Sequence, residues 1–454
     1  MKTEELGQEF AENPFLFAGY RGLFANENDE VVPEENTLPF LRTVLFLPAI
    51  FGYLIYQRVT TSLTSDTFSP SQYGHIISIT STSEYRSYTL VEVAKELEAK
   101  GEDVLFLCSP SGEGRIDEWR GIAETVSHKQ LHGTISLRTL FNIPIKSFRD
   151  TYYLWTELST ENIDRRTFVF VFNLIILEYV KYHSIEPVTL GEPKIHTLKP
   201  MPYFLESTSK ENVYVYQHGT QVAYPEQTWP GIEDGQRDID LKASVPYYVP
   251  LTYFVWGDAW KENFKRLAHP DSTVVVTGSP WYDSLASMNQ QESSKDIDVL
   301  FISQSHAVLE SKLTQYEKMV EMLVAICAER DLELAVKLHP RESVEWYEDR
   351  GIANYVCEFD DIDTALVRSK VAVTDTSTAF IEANVFGTPS VVVDISERGL
   401  QEIGPTKNVY FSQSLRGLED DLLDALESRP VETENGRELV RVGDSVSRLL
   451  QCIG

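Results

Sequence analysis

Residues 371–394 read VAVTDTSTAFIEANVFGTPSVVVD, and few local structures satisfy that string. An apolar lead-in runs into Thr374, Asp375, Thr376, Ser377 and Thr378. A helical pattern follows over 379–386, Gly387 stops it, Pro389 comes next, and Val391, Val392 and Val393 resume as a strand. Strand, polar turn, helix and strand make a βαβ unit, the building block of a parallel sheet covered by helices. The hydroxyls at the helix start have two uses. They cap free backbone N–H groups, or they join those groups and the helix dipole in an anion site. Just upstream, LAVKLHPRE ends a second strand in His339, Pro340 and Arg341.

The same alternation predicts α/β architecture along most of the chain. Strands are expected over 75–80 and 103–108, with a helix over 88–100 that Gly101 ends. That is the opening of a doubly wound domain, and ligands sit at the carboxyl ends of such strands. A mostly buried helix is expected over 168–183, strands over 194–201, 212–216, 253–256 and 274–278, and a helix over 259–267. The polar stretch 224–240 reads as a loop over the site, and the polar stretch 288–295 as a linker. Beyond it, strands over 298–302 and 333–338 and helices over 309–327 and 361–368 lead to the 371–394 unit. Helical patterns at 418–426 and 439–450 suit packing back across both domains. The expected organisation is an N-terminal extension over 1–70, one Rossmann-like domain over 71–287 and another over 296–454.

A chain of 454 residues is too long for one ordinary core, which agrees with two domains. It carries 69 acids against 40 bases, a net charge of −29. That excess argues against nucleic acid and anionic lipid as partners and against a basic docking surface. The acids are spread along the chain, a pattern that resembles proteins of salt-loving organisms, where salt screens self-repulsion. Cys108, Cys327, Cys357 and Cys452 have neither zinc-ligand nor redox spacing and read as buried thiols in a reducing compartment. The first residues, MKTEELGQEF, are acidic and polar rather than a secretory signal. Residues 43–56, TVLFLPAIFGYLIY, are apolar between Arg42 and Arg58 but too short to cross a bilayer. They either lie in a membrane interface or pack on the domain.

Two further motifs follow strands. Tyr216, Gln217, His218, Gly219 and Thr220 place an imidazole where a ligand is expected, with a glycine that lets backbone approach it. The alternative use of His218 is to brace the strand end. The strand at 274–278 runs into GSPWYD, Gly278 to Asp283.

Taken together, YQHGT (216–220), GSPWYD (278–283), KLHPRE (337–342) and VTDTSTAFIEA (373–383) resemble the GT-B glycosyltransferases. More closely, the chain resembles the CDP-glycerol glycerophosphotransferase group and related capsule polysaccharide and bacterial polysialyltransferases. The resemblance covers about residues 195–395; the N-terminal third matches in architecture alone. Trp281 stands where the family often has Arg, and Thr220 and Gln221 where it often has Pro, which leaves donor and acceptor open.

The resemblance implies two doubly wound α/β domains facing across a cleft, with the nucleotide on the second. It implies a metal-independent transferase moving a sugar or polyol phosphate to a glycan or lipid-linked acceptor in surface polysaccharide or glycoconjugate synthesis. No cofactor is implied beyond the nucleotide-activated donor, which is a substrate. The expected location is cytoplasmic, at the inner face of the membrane, with peripheral contact through 43–56. His339 and Pro340 would meet phosphate or nucleoside, with Thr376, Ser377 and Thr378 at the helix start. Glu382, four residues past Thr378, would accept ribose hydroxyls. His218 would be the general base, its free pKa being near neutrality. Gly219, Gly278, Pro280 and Asp375 would support these groups. Two other readings keep the architecture: a UDP-N-acetylglucosamine 2-epimerase, which usually shows S-G-G where this chain has Thr376, Ser377 and Thr378, and a non-catalytic binding protein of GT-B shape.

Overall fold

The computed structural model describes residues 73–79, 84–108, 116–127, 131, 135–153, 165–189, 191–198, 202–219, 249–288, 295–304, 313–339, 342–357, 359, 361–375, 377–395, 400–412, 414–427 and 437–454. The segment 43–56, the loop 224–240, most of the linker, and Thr220, Pro340, Arg341 and Thr376 lie outside the described residues.

The first half opens with β1 (His75–Ile79), α1 (Glu84–Ala99), β2 (Val104–Cys108), α2 (Ile116–Arg120) and β3 (Glu124–Ser127). Two long helices follow, α3 (Leu137–Tyr153) and α4 (Arg165–Thr189), which pack on each other. Next come β4 (Lys194–Thr197), α5 (Pro202–Ser207), β5 (Val213–Tyr216), β6 (Thr252–Val255), α6 (Asp258–Leu267), β7 (Thr273–Val276) and α7 (Pro280–Met288). The second half holds β8 (Ile297–Ile302), α8 (Leu313–Glu329), β9 (Leu334–Lys337), α9 (Glu345–Glu348), α10 (Ile362–Arg368), β10 (Ser369–Thr374), α11 (Ala379–Val385), β11 (Ser390–Val393), β12 (Val409–Ser412), α12 (Leu418–Glu427) and α13 (Ser445–Ile453).

The strands form two sheets. A seven-stranded sheet has the order β3-β2-β1-β4-β5-β6-β7, and a five-stranded sheet the order β12-β11-β10-β8-β9. Every pairing in the second sheet is parallel, as is every pairing from β3 across to β5 in the first. The strand sequences explain this. β1, β2, β5 and β11 are buried at every position, so both faces are covered, as parallel sheets between helices require. The fold is α/β, as the alternation of periods predicts.

The linker at 288–295 separates the two sheets in sequence. The compact units divide elsewhere. Of the described residues, one takes in those up to Tyr216, 249–253 and Leu267–Thr273; the other holds 217–219, Phe254–Arg266 and Val274–Gly454. In the second unit, Val299, Phe301, Val371, Val373, Val391 and Val393 of the sheet pack with Tyr316, Met319 and Leu323 of α8 and with Leu418 and Leu422 of α12.

The C-terminal stretch departs from the helix expected over 439–450. Residues 438–444 are irregular instead. The Arg441 N–H donates to the Trp256 carbonyl at 2.8 Å, the Ala259 N–H to the Glu438 carbonyl at 3.0 Å and the Trp260 indole N–H to the Leu439 carbonyl at 2.9 Å. Those bonds hold Leu439 and Val440 out of helical geometry. Gly443 and Asp444 then turn with positive φ, and α13 starts at Ser445. Burial of Leu439 thus mimics helical periodicity without a helix. The cysteine expectation also needs correction: Cys108 and Cys327 are buried thiols, pushed up to about 12 by burial, but Cys357 is half-buried and Cys452 exposed.

Candidate functional site

In the five-stranded sheet, β8 lies between β9 and β10, so the chain leaves β8 in one direction and later returns on its other side. Such a reversal opens a crevice at the carboxyl ends of the two strands that flank it, here β8 and β10. Three neighbouring strand ends therefore meet there: β9 with His339, β8 with Ser303 and Gln304, and β10 with Asp375, Ser377 and Thr378. Adjacent strands lie about 4.8 Å apart, so β9 to β10 spans about 10 Å, the scale of a nucleotide diphosphate.

The backbone at His339 is fixed by a part-buried polar cluster. The His339 main-chain N–H donates to Ser303 Oγ at 2.8 Å and to Glu342 Oε2 at 3.0 Å. Ser303 donates its hydroxyl to the same Glu342 carboxylate. The Glu342 N–H returns to the His339 carbonyl at 2.9 Å. Ser303 N–H donates to the Lys337 carbonyl at 3.0 Å, which ties the end of β8 to that of β9. Burial raises the Glu342 carboxyl, while the Ser303 and His339 bonds pull it down. The arrangement places the half-buried His339 at the crevice on a backbone braced from two strands. Ser303 and Glu342 carry no function in the sequence reading. The H-P-R-E spacing held the signal, since a carboxylate three residues on can close back on a backbone N–H.

At the β10 end, Asp375 is buried and accepts the Ile395 N–H at 2.9 Å, bridging β10 to the exit of β11. Thr374 donates to the Ile302 carbonyl at 3.1 Å. The hydroxyl run does not cap uniformly. Ser377 Oγ accepts the Ala379 N–H at 3.3 Å, whereas Thr378, the residue before α11, makes no side-chain cap bond. Gly387 ends α11 with φ of 72°, a conformation that suits glycine. Glu382 stands in the first turn of α11. Burial, then the nearby Asp363 carboxylate, push its carboxyl up to about 7.

The HG turn falls in the second unit as well. Gln217 is buried and holds the turn with its side-chain amide. Its oxygen accepts the Trp256 N–H at 2.9 Å, and its nitrogen donates to the Gly219 carbonyl at 3.2 Å. Its main-chain N–H continues the sheet to Phe254 at 3.0 Å. His218, half-buried, is thus carried on a braced turn. A Cβ at Gly219 would meet nothing within 4 Å.

GSPWYD meets the C-terminal segment. Gly278 has φ of 81°, and a Cβ there would lie 2.1 Å from the Arg441 carbonyl oxygen and 2.4 Å from Ser445 Oγ. Pro280 is buried at the first position of α7, where its missing N–H costs nothing. Asp283 accepts the N–H groups of Gly443 at 2.6 Å and Ser445 at 2.8 Å, capping α13 from another helix. Arg448 donates to the Thr277 carbonyl at 2.8 Å. The motif therefore docks the C-terminal segment, and α7 packs on α11 as well as on α13.

Among the described residues, no group of three or more His, Cys, Asp and Glu side chains can hold a metal ion, and no helix is long and apolar enough to cross a membrane. No protein-family model matches the sequence, and no curated protein matches it. Among solved structures, the chain is similar to the UDP-GlcNAc 2-epimerase of Methanocaldococcus jannaschii in complex with UDP-GlcNAc and UDP. Identity is 12%, coverage 84% of this chain and 99% of that one, and the TM-score 0.47. It is similar to the wall teichoic acid polymerase TagF, at 12% identity, 92% and 98% coverage and a TM-score of 0.42. It is similar to Acinetobacter baumannii MurG, at 13% identity, 84% and 98% coverage and a TM-score of 0.40.

Proposed function

We propose that the chain is a GT-B-type transferase that moves a sugar or polyol phosphate from a nucleotide-activated donor to a glycan or lipid-linked acceptor at a membrane face. The observation that carries this reading is the strand order of the five-stranded sheet, which brings the ends of β9, β8 and β10 side by side. His339 then supplies an imidazole for phosphate or nucleoside, with Pro340 next to it in sequence. Ser377, Thr378 and Thr376 supply hydroxyls for phosphate oxygens. Glu382 accepts ribose hydroxyls, and its carboxyl titrates close to neutrality. Positive groups and hydroxyls stabilise the leaving diphosphate as charge develops on it. His218 removes the acceptor proton, a role that an imidazole can fill. Gln217 and Gly219 hold its turn, while Gly278, Pro280 and Asp375 hold the surrounding backbone.

Thermal stabilisation by CMP-, CDP-, UDP- and GDP-linked compounds tests the reading. A ligand at 100 times its Kd adds about 2.7 kcal/mol of stability. One nucleotide class is expected to raise the melting temperature, and His339→Asn is expected to lose most of that rise. No shift with any nucleotide favours a non-catalytic shell. Turnover of UDP-GlcNAc without an acceptor favours the epimerase.

A further inference from the structure

We propose that the outer face of α3 is a docking surface for an anionic lipid bilayer. Among the described residues of the first unit, the most exposed large hydrophobics stand on this one helix: Ile145 at 70%, Phe148 at 54% and Tyr152 at 50%. They recur at steps of three and four, so they form one stripe along the helix. Phe148 and Tyr152 stack at 6.3 Å between ring centres, and Phe148 also meets Phe172 of α4 edge-on.

The charge of α3 itself runs against the chain's overall sign. The whole protein carries −29, yet α3 holds Arg138, Lys146 and Arg149 against one acid, Asp150. Asp150 is buried, bonded to Arg149 and to the Tyr179 hydroxyl. Arg138, Lys146 and Arg149 are exposed. Apolar and aromatic side chains flanked by cations, on a helix lying along the surface, are the pattern of interfacial helices. The overall acid excess does not cancel it. At 0.1 M salt, repulsion from distant acids is damped beyond about 10 Å, while cations in contact with lipid headgroups act at full strength.

Other occupants fit less well. A second copy pairing through the same face would set cations against cations. The segment 43–56 is flanked by Arg42 and Arg58 and contains no acid, so it too lacks the complementary charge. Side chains that project half or more of their surface suit a fluid phase that needs no matching pocket. The inference stands apart from the transferase reading, because lipid binding is measured without donor or acceptor.

The test uses the full chain with phosphatidylcholine vesicles, with and without phosphatidylglycerol, in co-sedimentation at low salt. Melting temperature and light scattering are followed in parallel. Wild type is expected to favour the phosphatidylglycerol vesicles. Ile145→Glu with Phe148→Glu is expected to lose at least about tenfold in binding, and Arg138→Glu with Lys146→Glu a similar factor, since each basic residue contributes about fivefold. Both double variants change exposed positions and are expected to melt as wild type does. The proposal is overturned if wild type ignores both vesicle types. It is equally overturned if both variants bind as wild type does, which would move docking to 43–56. A variant that changes the subunit number while lipid binding stays intact would make the face a self-association surface and overturn it too.

Discussion

Gly278→Ala is expected to be the most damaging small substitution in the second unit. Alanine at φ of 81° costs about 1 kcal/mol of backbone strain. The larger cost is steric, since the new methyl group would stand 2.1 Å from the Arg441 carbonyl oxygen. Neither backbone can yield without moving the C-terminal segment. Displacing it breaks the bonds from Arg441 N–H to Trp256, from Arg448 Nε to Thr277 and from Arg448 Nη2 to Arg441. At about 1 kcal/mol each, with the strain, the loss comes to roughly 4 kcal/mol. Against a typical total of about 5–15 kcal/mol, that is a large share. Urea unfolding followed by circular dichroism measures it, and limited proteolysis should show early cleavage within 437–454. Gly219→Ala is the internal control: a Cβ there meets nothing within 4 Å, so stability should change by less than about 1 kcal/mol. If Gly278→Ala unfolds at the wild-type urea concentration, the docking role assigned to GSPWYD is wrong.

Two pH effects have opposite signs. Glu382 is raised from 4.5 to about 7, so the folded state holds its proton more tightly and that contribution is lost as pH rises through 7. Glu382→Gln should therefore be more stable than wild type at pH 8 and match it near pH 4, read from melting temperatures across that range. His75 contacts His196 at 3.0 Å, and burial, then Lys194, lower it to about 4. Its contribution is present above pH 6.5 and lost as pH falls toward 4, so His75→Gln should flatten the acid side of the stability profile in the same scan. Ser377→Ala with Thr378→Ala should weaken nucleotide binding in titration while costing at most about 1 kcal/mol of stability, because Ser377 alone makes a cap bond here.

Much of the architecture was legible because parallel strands are buried on both faces and stand out as apolar runs. HIISI, VLFLC and SVVV announce themselves in this way. β3, with the sequence ETVS, does not, because a short edge strand needs little hydrophobicity. α3 is hidden for another reason: Pro144 stands inside it, and a proline in a helical pattern reads as a break. The same helix shows why net charge is a poor guide to local surfaces. At the site, His218, His339, Ser377, Thr378 and Glu382 could be picked out because each follows a strand or opens a helix. The residues that brace them could not. Gln217, Ser303 and Glu342 act through contacts between segments distant in sequence or through a turn whose closure depends on the neighbouring strand. Gly278 was visible as a glycine after a strand, but only the return of residues 438–448 shows what it accommodates.

We propose a nucleotide site at the ends of β8, β9 and β10, served by a base on a separate turn. Calorimetric titration of the stabilising nucleotide into wild type, His339→Asn and His218→Asn, paired with turnover of the matching donor, tests it most directly. His339→Asn is expected to bind nucleotide at least about tenfold more weakly. His218→Asn is expected to bind near wild-type strength while turnover falls by about 10²–10⁴-fold. Wild-type affinity in the folded His339 variant, or equal loss of affinity in both variants, would contradict it.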